Sequence, residues 1–256
     1  MDRGGILGLG LFETILALDG VPVFADRHLS RLRNSAGKLG WQFEFPDFRE
    51  TAGELLAIND LSTGRAKIRL TLTAGSGPLD DLTSGEDRLL WMSVLPATVA
   101  PKALAACISP WPRNEKSSLA GLKCASYAEN LVAFDHARRL GFQETLFLNT
   151  VGQLCEAATA NLFLVKNGRL LTPPLASGCL PGITREVVIE LAKNLGIDCE
   201  ETALFPADLD AAEEIFLTTS IRGITGLSRL DSRSLEPGPT TQLLREAWCE
   251  RVSAEK

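Results

Sequence analysis

The stretch that most constrains this chain is Gly121-Leu122-Lys123-Cys124-Ala125-Ser126-Tyr127-Ala128-Glu129-Asn130, in which one lysine follows a small turn and precedes an apolar-periodic helix, Leu131-Val132-Ala133-Phe134. Strand-like runs flank it. Leu104-Ala105-Ala106-Cys107-Ile108 lies upstream; Glu144-Thr145-Leu146-Phe147-Leu148 and Asn161-Leu162-Phe163-Leu164-Val165 lie downstream, the last turning at Lys166-Asn167-Gly168. An ammonium is costly to bury, so an isolated lysine usually reads as a solvated surface charge. Lys123 is singled out by its setting. Glu156 follows 33 residues later within Cys155-Glu156-Ala157-Ala158-Thr159-Ala160-Asn161, and Leu180-Pro181-Gly182-Ile183-Thr184-Arg185 then opens a second helix over 184–194.

The N-terminal part is punctuated by glycine. Asp2-Arg3-Gly4 reads as a turn, and Gly8-Leu9-Gly10-Leu11-Phe12-Glu13-Thr14 leads into the strand Ile15-Leu16-Ala17-Leu18; the glycines allow close backbone approach. Asp19-Gly20 is a two-residue hairpin signal before Val21-Pro22-Val23-Phe24. Asp26 reads as the N-cap of a helix in which Leu29, Leu32 and Ala36 form a buried stripe, with Arg31 at its edge and His28 as a packing residue at the helix start. A helix is expected from Phe48 to Asn59. Arg65 to Thr73 alternates like a half-exposed strand, paired with Arg88 to Val94. The loop after it, from Ala74 to Asp81, holds acids and no cation.

Bulk properties exclude several classes. A net charge of −6 and 45% hydrophobic residues suit a chain with a real core and argue against a phosphate-backbone binder. No apolar run approaches the ~18 residues of a membrane span, and Met1 to Gly5 lacks a signal core, so the expected location is the cytoplasm. Six scattered cysteines without a C-x-x-C pair, and only two histidines, fit neither a disulfide framework nor a metal cluster. Neither nucleic acid, membrane nor metal is an expected partner.

The ordered set of Lys123, Glu156 and the helix start at Leu180 to Arg185 resembles the class IV aminotransferases, the fold type IV enzymes that use pyridoxal 5'-phosphate (PLP), over nearly the whole chain. The Asp-Arg-Gly turn, the Gly-x-Gly-x-Phe-Glu-Thr strand and the His-x-x-Arg-Leu helix match the same family. Two features depart from it: Leu9 stands where an acid is frequent, and the start is abrupt, as if a first hairpin were missing through truncation or a misassigned start.

The resemblance implies an α/β (α+β) fold in two domains, D-amino acid aminotransferase-like: a small N-terminal domain over 1–112, a linker over 113–118 and a larger, β-rich domain over 119–256, with the cofactor between them and a homodimer as the usual assembly. It implies Lys123 as the catalytic Schiff-base lysine and Arg31 as the holder of the cofactor phosphate, a task suited to a permanently charged fork. Glu156 would pair with the pyridine nitrogen, Tyr127 would lie near the phenolic oxygen, and Leu180 would cover the ring. Backbone groups at Ile183 and Thr184, with Thr219 and Ser220, would complete the phosphate cradle. Phe12 lines the substrate side. The position of the family's basic substrate residue falls at Ala74, which leaves Arg222 as the first cation to test against a carboxylate. The expected substrate is a small-molecule amine or amino acid. Length and the run Thr219 to Ile224 are most similar to the aminodeoxychorismate lyase branch; the alternatives are a branched-chain or D-amino acid aminotransferase and, last, a noncatalytic PLP-binding relative.

Overall fold

The computed structural model describes residues 1–44, 47–85 and 87–255. Contacts divide the chain into two units, the first taking in Met1–Val99 with Leu122–Tyr127 and the second Ala100–Gly121 with Ala128–Ser253.

The first unit opens with the short helix α1 (Arg3–Leu7), capped by Asp2, which accepts from Gly4 N–H. Arg3 is fully buried. Its guanidinium donates to the carbonyls of Ala74, Gly75, Pro78, Asp81 and Ser84, so the loop after the third strand is wrapped around one charge. The sheet has the order β2-β1-β3-β4, from β1 (Gly10–Leu18), β2 (Val21–Pro22), β3 (Arg65–Thr73) and β4 (Leu90–Pro96). Asp19 and Gly20 join β1 to β2 with φ of 47° and 81°, the two left-handed residues that a tight hairpin of this twist demands. β1 and β3 pair antiparallel along their whole length, from Gly10 opposite Thr73 to Leu18 opposite Arg65.

Helix α2 (Ala25–Lys38) lays Leu29, Leu32 and Ala36 against Leu11 and Ile15 of β1. Asp26 is not its cap. The helix starts one residue earlier, after Phe24 at φ 52°, without a side-chain cap; Asp26 lies in the first turn, where its charge favours the helix dipole, and pairs with Arg49 at 3.1 Å. Helix α3 (Phe48–Ile58) follows Asp47, which caps it through the N–H groups of Arg49 and Glu50.

In the second unit a larger sheet runs β10-β9-β8-β11-β12-β5-β6-β7, with β13 paired to β12. Its strands are β5 (Ala103–Ile108), β6 (Glu144–Leu148), β7 (Leu154–Ala157), β8 (Asn161–Lys166), β9 (Arg169–Thr172), β10 (Cys199–Glu201), β11 (Glu214–Thr219), β12 (Gly223–Leu230) and β13 (Arg233–Ser234). Helices α4 (Ala128–Arg139), α5 (Ile183–Asn194), α6 (Pro206–Ala211) and α7 (Pro239–Ser253) complete it, with α5 and α7 packed against β11. The core is aliphatic and centred on β8, β11 and β12, including Leu162, Leu164, Ile215, Leu217 and Leu227.

Two elements differ from the sequence expectation. The strand Ala103–Ile108, read as part of an N-terminal domain ending at 112, is the parallel neighbour of both β12 and β6, and so clusters with the second sheet. Leu122–Tyr127, read as part of the larger domain, groups instead with the first unit. The reason is a run of backbone bonds to β1: Phe12 N–H donates to Lys123 O at 2.8 Å, Ala125 N–H donates to Gly10 O at 2.7 Å, and Leu11 pairs with Cys124. Residues 122–127 thus act as a short extra strand on β1. β12 and α7 were absent from the sequence reading because Gly223 and Gly226 break a strand pattern. A Cβ at Gly223 would run into the Trp248 ring and one at Gly226 into Pro237, which is why small residues stand there. Among the described residues no helix is long and apolar enough to cross a membrane.

Candidate active site

In the first unit Lys123 stands on the β1 edge with its Nζ 4.4 Å from the centre of the Phe12 ring and 5.9 Å from that of Tyr127. Phe12 and Tyr127 meet edge to face at 5.5 Å. A partly buried ammonium over two π faces is held by cation–π attraction, which fixes the Lys123 side chain against this aromatic face.

The same ring carries a second cation that the sequence did not reveal. Arg69 on β3 lies over Phe12 with Cζ 3.6 Å from the ring centre; burial lowers its pKa and Tyr127 partly opposes that. Its alternation in β3 looked like any half-exposed strand residue. The register places it opposite Thr14 and two residues from Thr71, which faces Phe12, and residues so spaced share one sheet face. The Thr71 hydroxyl on that face is buried without a hydrogen-bond partner. Arg69, not the loop at Ala74, supplies the cation of this face.

On β1's other face, Glu13 is 1% exposed and is gripped by two residues of α2. Arg31 donates through Nε to Oε1 at 2.8 Å and through Nη2 to Oε2 at 2.5 Å, and His28 Nδ1 lies 2.7 Å from Oε2. Burial would raise the Glu13 carboxyl, but Arg31 and His28 overcome it and hold it at about 2. An ionised carboxylate only accepts, so the Nδ1 of His28 carries the proton. Burial pushes His28 below its usual range, Glu13 opposes this, and the fields of Arg31 and Lys123 add to the downward shift. His28 is therefore part of a buried polar cluster and more than a packing residue at a helix start.

Both shifts have the same sign for stability. Neutral, folded His28 loses ground to an unfolded chain that takes up a proton below about pH 6.5, and ionised Glu13 does so from about 4.5 down to about 2. Stability is expected to be fully present above pH 6.5 and to fall with pH below it, by at most about 1.4 kcal/mol per unit from one histidine. Urea unfolding midpoints between pH 8 and pH 5 check this: His28→Gln should flatten that limb, and an unchanged slope in the variant would exclude His28 as its source.

In the second unit Glu156 lies one residue before the end of β7, with its side chain 12% exposed. Its Oε2 accepts from Leu180 N–H at 2.9 Å, and Arg113 Nη2 lies 3.5 Å from Oε1, within ion-pair range but without a hydrogen bond. Asn161, to which the sequence assigned no role beyond its strand, donates to Leu180 O at 2.8 Å and sits so close to Gly182 that a Cβ there would strike its side chain. Glu156 and Asn161 thus hold both the N–H and the carbonyl of Leu180 and set the approach to α5. That helix begins at Ile183 after Gly182, with no side-chain cap. Ile183 and Thr184 are buried in its first turn, where N–H groups lack helical partners. At the end of β11 the Thr219 hydroxyl accepts from Arg222 N–H at 2.9 Å, which leaves its own proton to be donated elsewhere; Ser220 follows it in the turn.

Arg222 itself is engaged. Its Nη2 donates to Glu144, a carboxylate with no exposed surface, and to Thr159, each at 3.0 Å. It neutralises a buried acid, and removing it would strand that charge.

Comparison with known proteins settles the family. The pattern of the amino-transferase class IV family matches residues 10–230. The chain belongs to that family. The branched-chain-amino-acid aminotransferase of Salmonella typhimurium is 32% identical over 268 residues, covering 94% of this chain and 83% of that protein. The aminodeoxychorismate lyase of Bacillus subtilis is 27% identical, covering 100% and 90%. The crystal structure of a Legionella pneumophila protein provisionally named 4-amino-4-deoxychorismate lyase superposes with a TM-score of 0.91 at 30% identity, covering 98% of this chain and 93% of that one.

This class IV protein is a PLP-dependent enzyme. The groups present fit that cofactor. Lys123 offers an amine on an aromatic face, and Glu156 a carboxylate fixed by a backbone N–H. The uncapped start of α5 and the Thr219 hydroxyl, which accepts from Arg222 N–H and keeps a proton to donate, offer what a phosphate needs.

Proposed function

We propose that this enzyme is an aminodeoxychorismate lyase, releasing pyruvate from 4-amino-4-deoxychorismate to leave 4-aminobenzoate. The support is the likeness to the Legionella protein that bears a lyase name, with a TM-score of 0.91 over 98% of this chain and 93% of that one, together with the run Thr219 to Ile224; relatives named as aminotransferases match to a similar extent. A second reading, transamination of branched-chain amino acids, draws support from Arg69, which supplies a cation for an amino acid's carboxylate on the Lys123 face.

Bound PLP supplies an electron sink that lets a bond at the amine-bearing carbon ionise. Lys123 would hold the cofactor through its aldehyde and would move the proton at the reacting carbon. Glu156 keeps the ring nitrogen protonated. Arg31, the first turn of α5 with Ile183 and Thr184, and Thr219 with Ser220 would hold the phosphate, while Leu180 and Tyr127 would bound the ring and its phenolic oxygen. Arg69 and Thr71 meet the substrate's polar groups beside Phe12.

The two readings differ in where the amino group ends. A lyase needs no acceptor, because the electrons leave with the enolpyruvyl group as the ring becomes aromatic. A transaminase stalls after one half-reaction unless a 2-oxo acid is present. Pyruvate is expected from aminodeoxychorismate with no oxo acid added. Rapid loss of the 400-nm-region absorbance on adding leucine, restored by 2-oxoglutarate, would replace the lyase with the aminotransferase.

A further inference from the structure

Glu13 occupies a place where a charge needs a reason. It faces α2 from β1 between Leu11 and Ile15, both fully buried, and desolvating a carboxylate there is costly. An apolar residue would close that core without cost. Its two partners, His28 and Arg31, are three residues apart on α2 and so share one helix face. Arg31 uses one edge of its guanidinium, Nε and Nη2, on both carboxylate oxygens; Nη1 therefore lies on the side away from Glu13. His28 steadies the carboxylate from a third direction.

We propose that Glu13 is a positioning residue: its two-pronged grip, steadied by His28, fixes the plane of the Arg31 guanidinium so that the opposite edge is presented to the cofactor phosphate. This rests on the reading of Arg31 as a phosphate holder. The geometry sets two effects against each other. A carboxylate in contact with the guanidinium cancels part of the charge that would attract a phosphate dianion. The same carboxylate removes the rotational freedom that a long arginine would otherwise lose on binding. If orientation dominates, deleting the negative charge weakens cofactor binding even though the site becomes more positive.

Glu13→Gln keeps size and one acceptor while removing the charge. Affinities for PLP and for pyridoxal, which lacks the phosphate, are measured by absorbance titration of the apoprotein, with circular dichroism to establish folding. The expected result is PLP binding at least tenfold weaker with pyridoxal binding unchanged, a selective loss that general damage to the fold would not give. A folded variant that binds PLP as tightly as the parent or more tightly overturns the proposal.

Arg31→Lys covers the case in which the first variant does not fold, since it keeps the cation and cannot form the fork. It is expected to lose PLP affinity nearly as far as Arg31→Ala. If Arg31→Lys holds PLP like the parent while Arg31→Ala does not, positioning by Glu13 is overturned and the phosphate reading stands. If neither arginine variant changes PLP affinity, the phosphate reading fails and the role of Glu13 falls with it.

Discussion

Lys123→Ala is expected to lower turnover by about 10³-fold or more, because it removes both the amine that takes the cofactor's aldehyde and the base that moves the substrate proton; the base alone commonly contributes about 10²–10⁴. The fold should survive. Lys123 is partly exposed on an edge segment fixed by backbone bonds from Phe12 and Ala125, none of which needs its side chain. Steady-state assays with and without added methylamine check the expectation, since a small amine should restore part of the proton transfer. Retention of more than a tenth of the activity would assign the chemistry to another group.

Glu156→Gln is the second large effect. An amide cannot keep a ring nitrogen protonated, so turnover should drop on the order of 10²-fold, the usual result of losing one preorganised electrostatic partner. Cofactor retention should change far less, because the phosphate contacts proposed above, at Arg31, the start of α5 and the end of β11, do not involve this carboxylate. The amide still accepts from Leu180 N–H, so the clamp that sets α5 stays in place. Turnover and PLP titration measured on the same preparation separate the two. Unchanged turnover would assign the ring-nitrogen role to a different acid.

Local signals in the sequence carried much of this fold. The Asp19-Gly20 hairpin, the strand Arg65–Thr73 and the helix from Phe48 are encoded by near neighbours, and the structure has them with bounds shifted by a residue or two. Pairing between distant segments was not legible. Lys123 follows β5 in the chain, yet β1 captures its segment, and nothing local to Gly121 announces that partner. Arg69 was hidden for the same reason. In a strand that alternates, a half-exposed arginine carries no mark of the aromatic ring it will cover until the register with β1 is known.

Glu13 and His28 were more accessible than they seemed. Glu13 shares its strand parity with Leu11 and Ile15, and an acid at a core-facing position calls for a buried cation. His28 and Arg31, at helical spacing on the next element, were the nearest candidates. Arg222 has a partner that was not legible. Its neighbourhood in the chain suggested a substrate cation, while the acid it neutralises, Glu144, stands on a different strand far upstream.

The proposed chemistry stands or falls on Lys123 carrying the cofactor. Borohydride reduction of the PLP-loaded protein followed by peptide mass mapping tests it most directly, because reduction makes the lysine link permanent and its position readable. The expected result is a single phosphopyridoxyl adduct on the peptide containing Lys123. An adduct on Lys116 or Lys166 with Lys123 unmodified would contradict it.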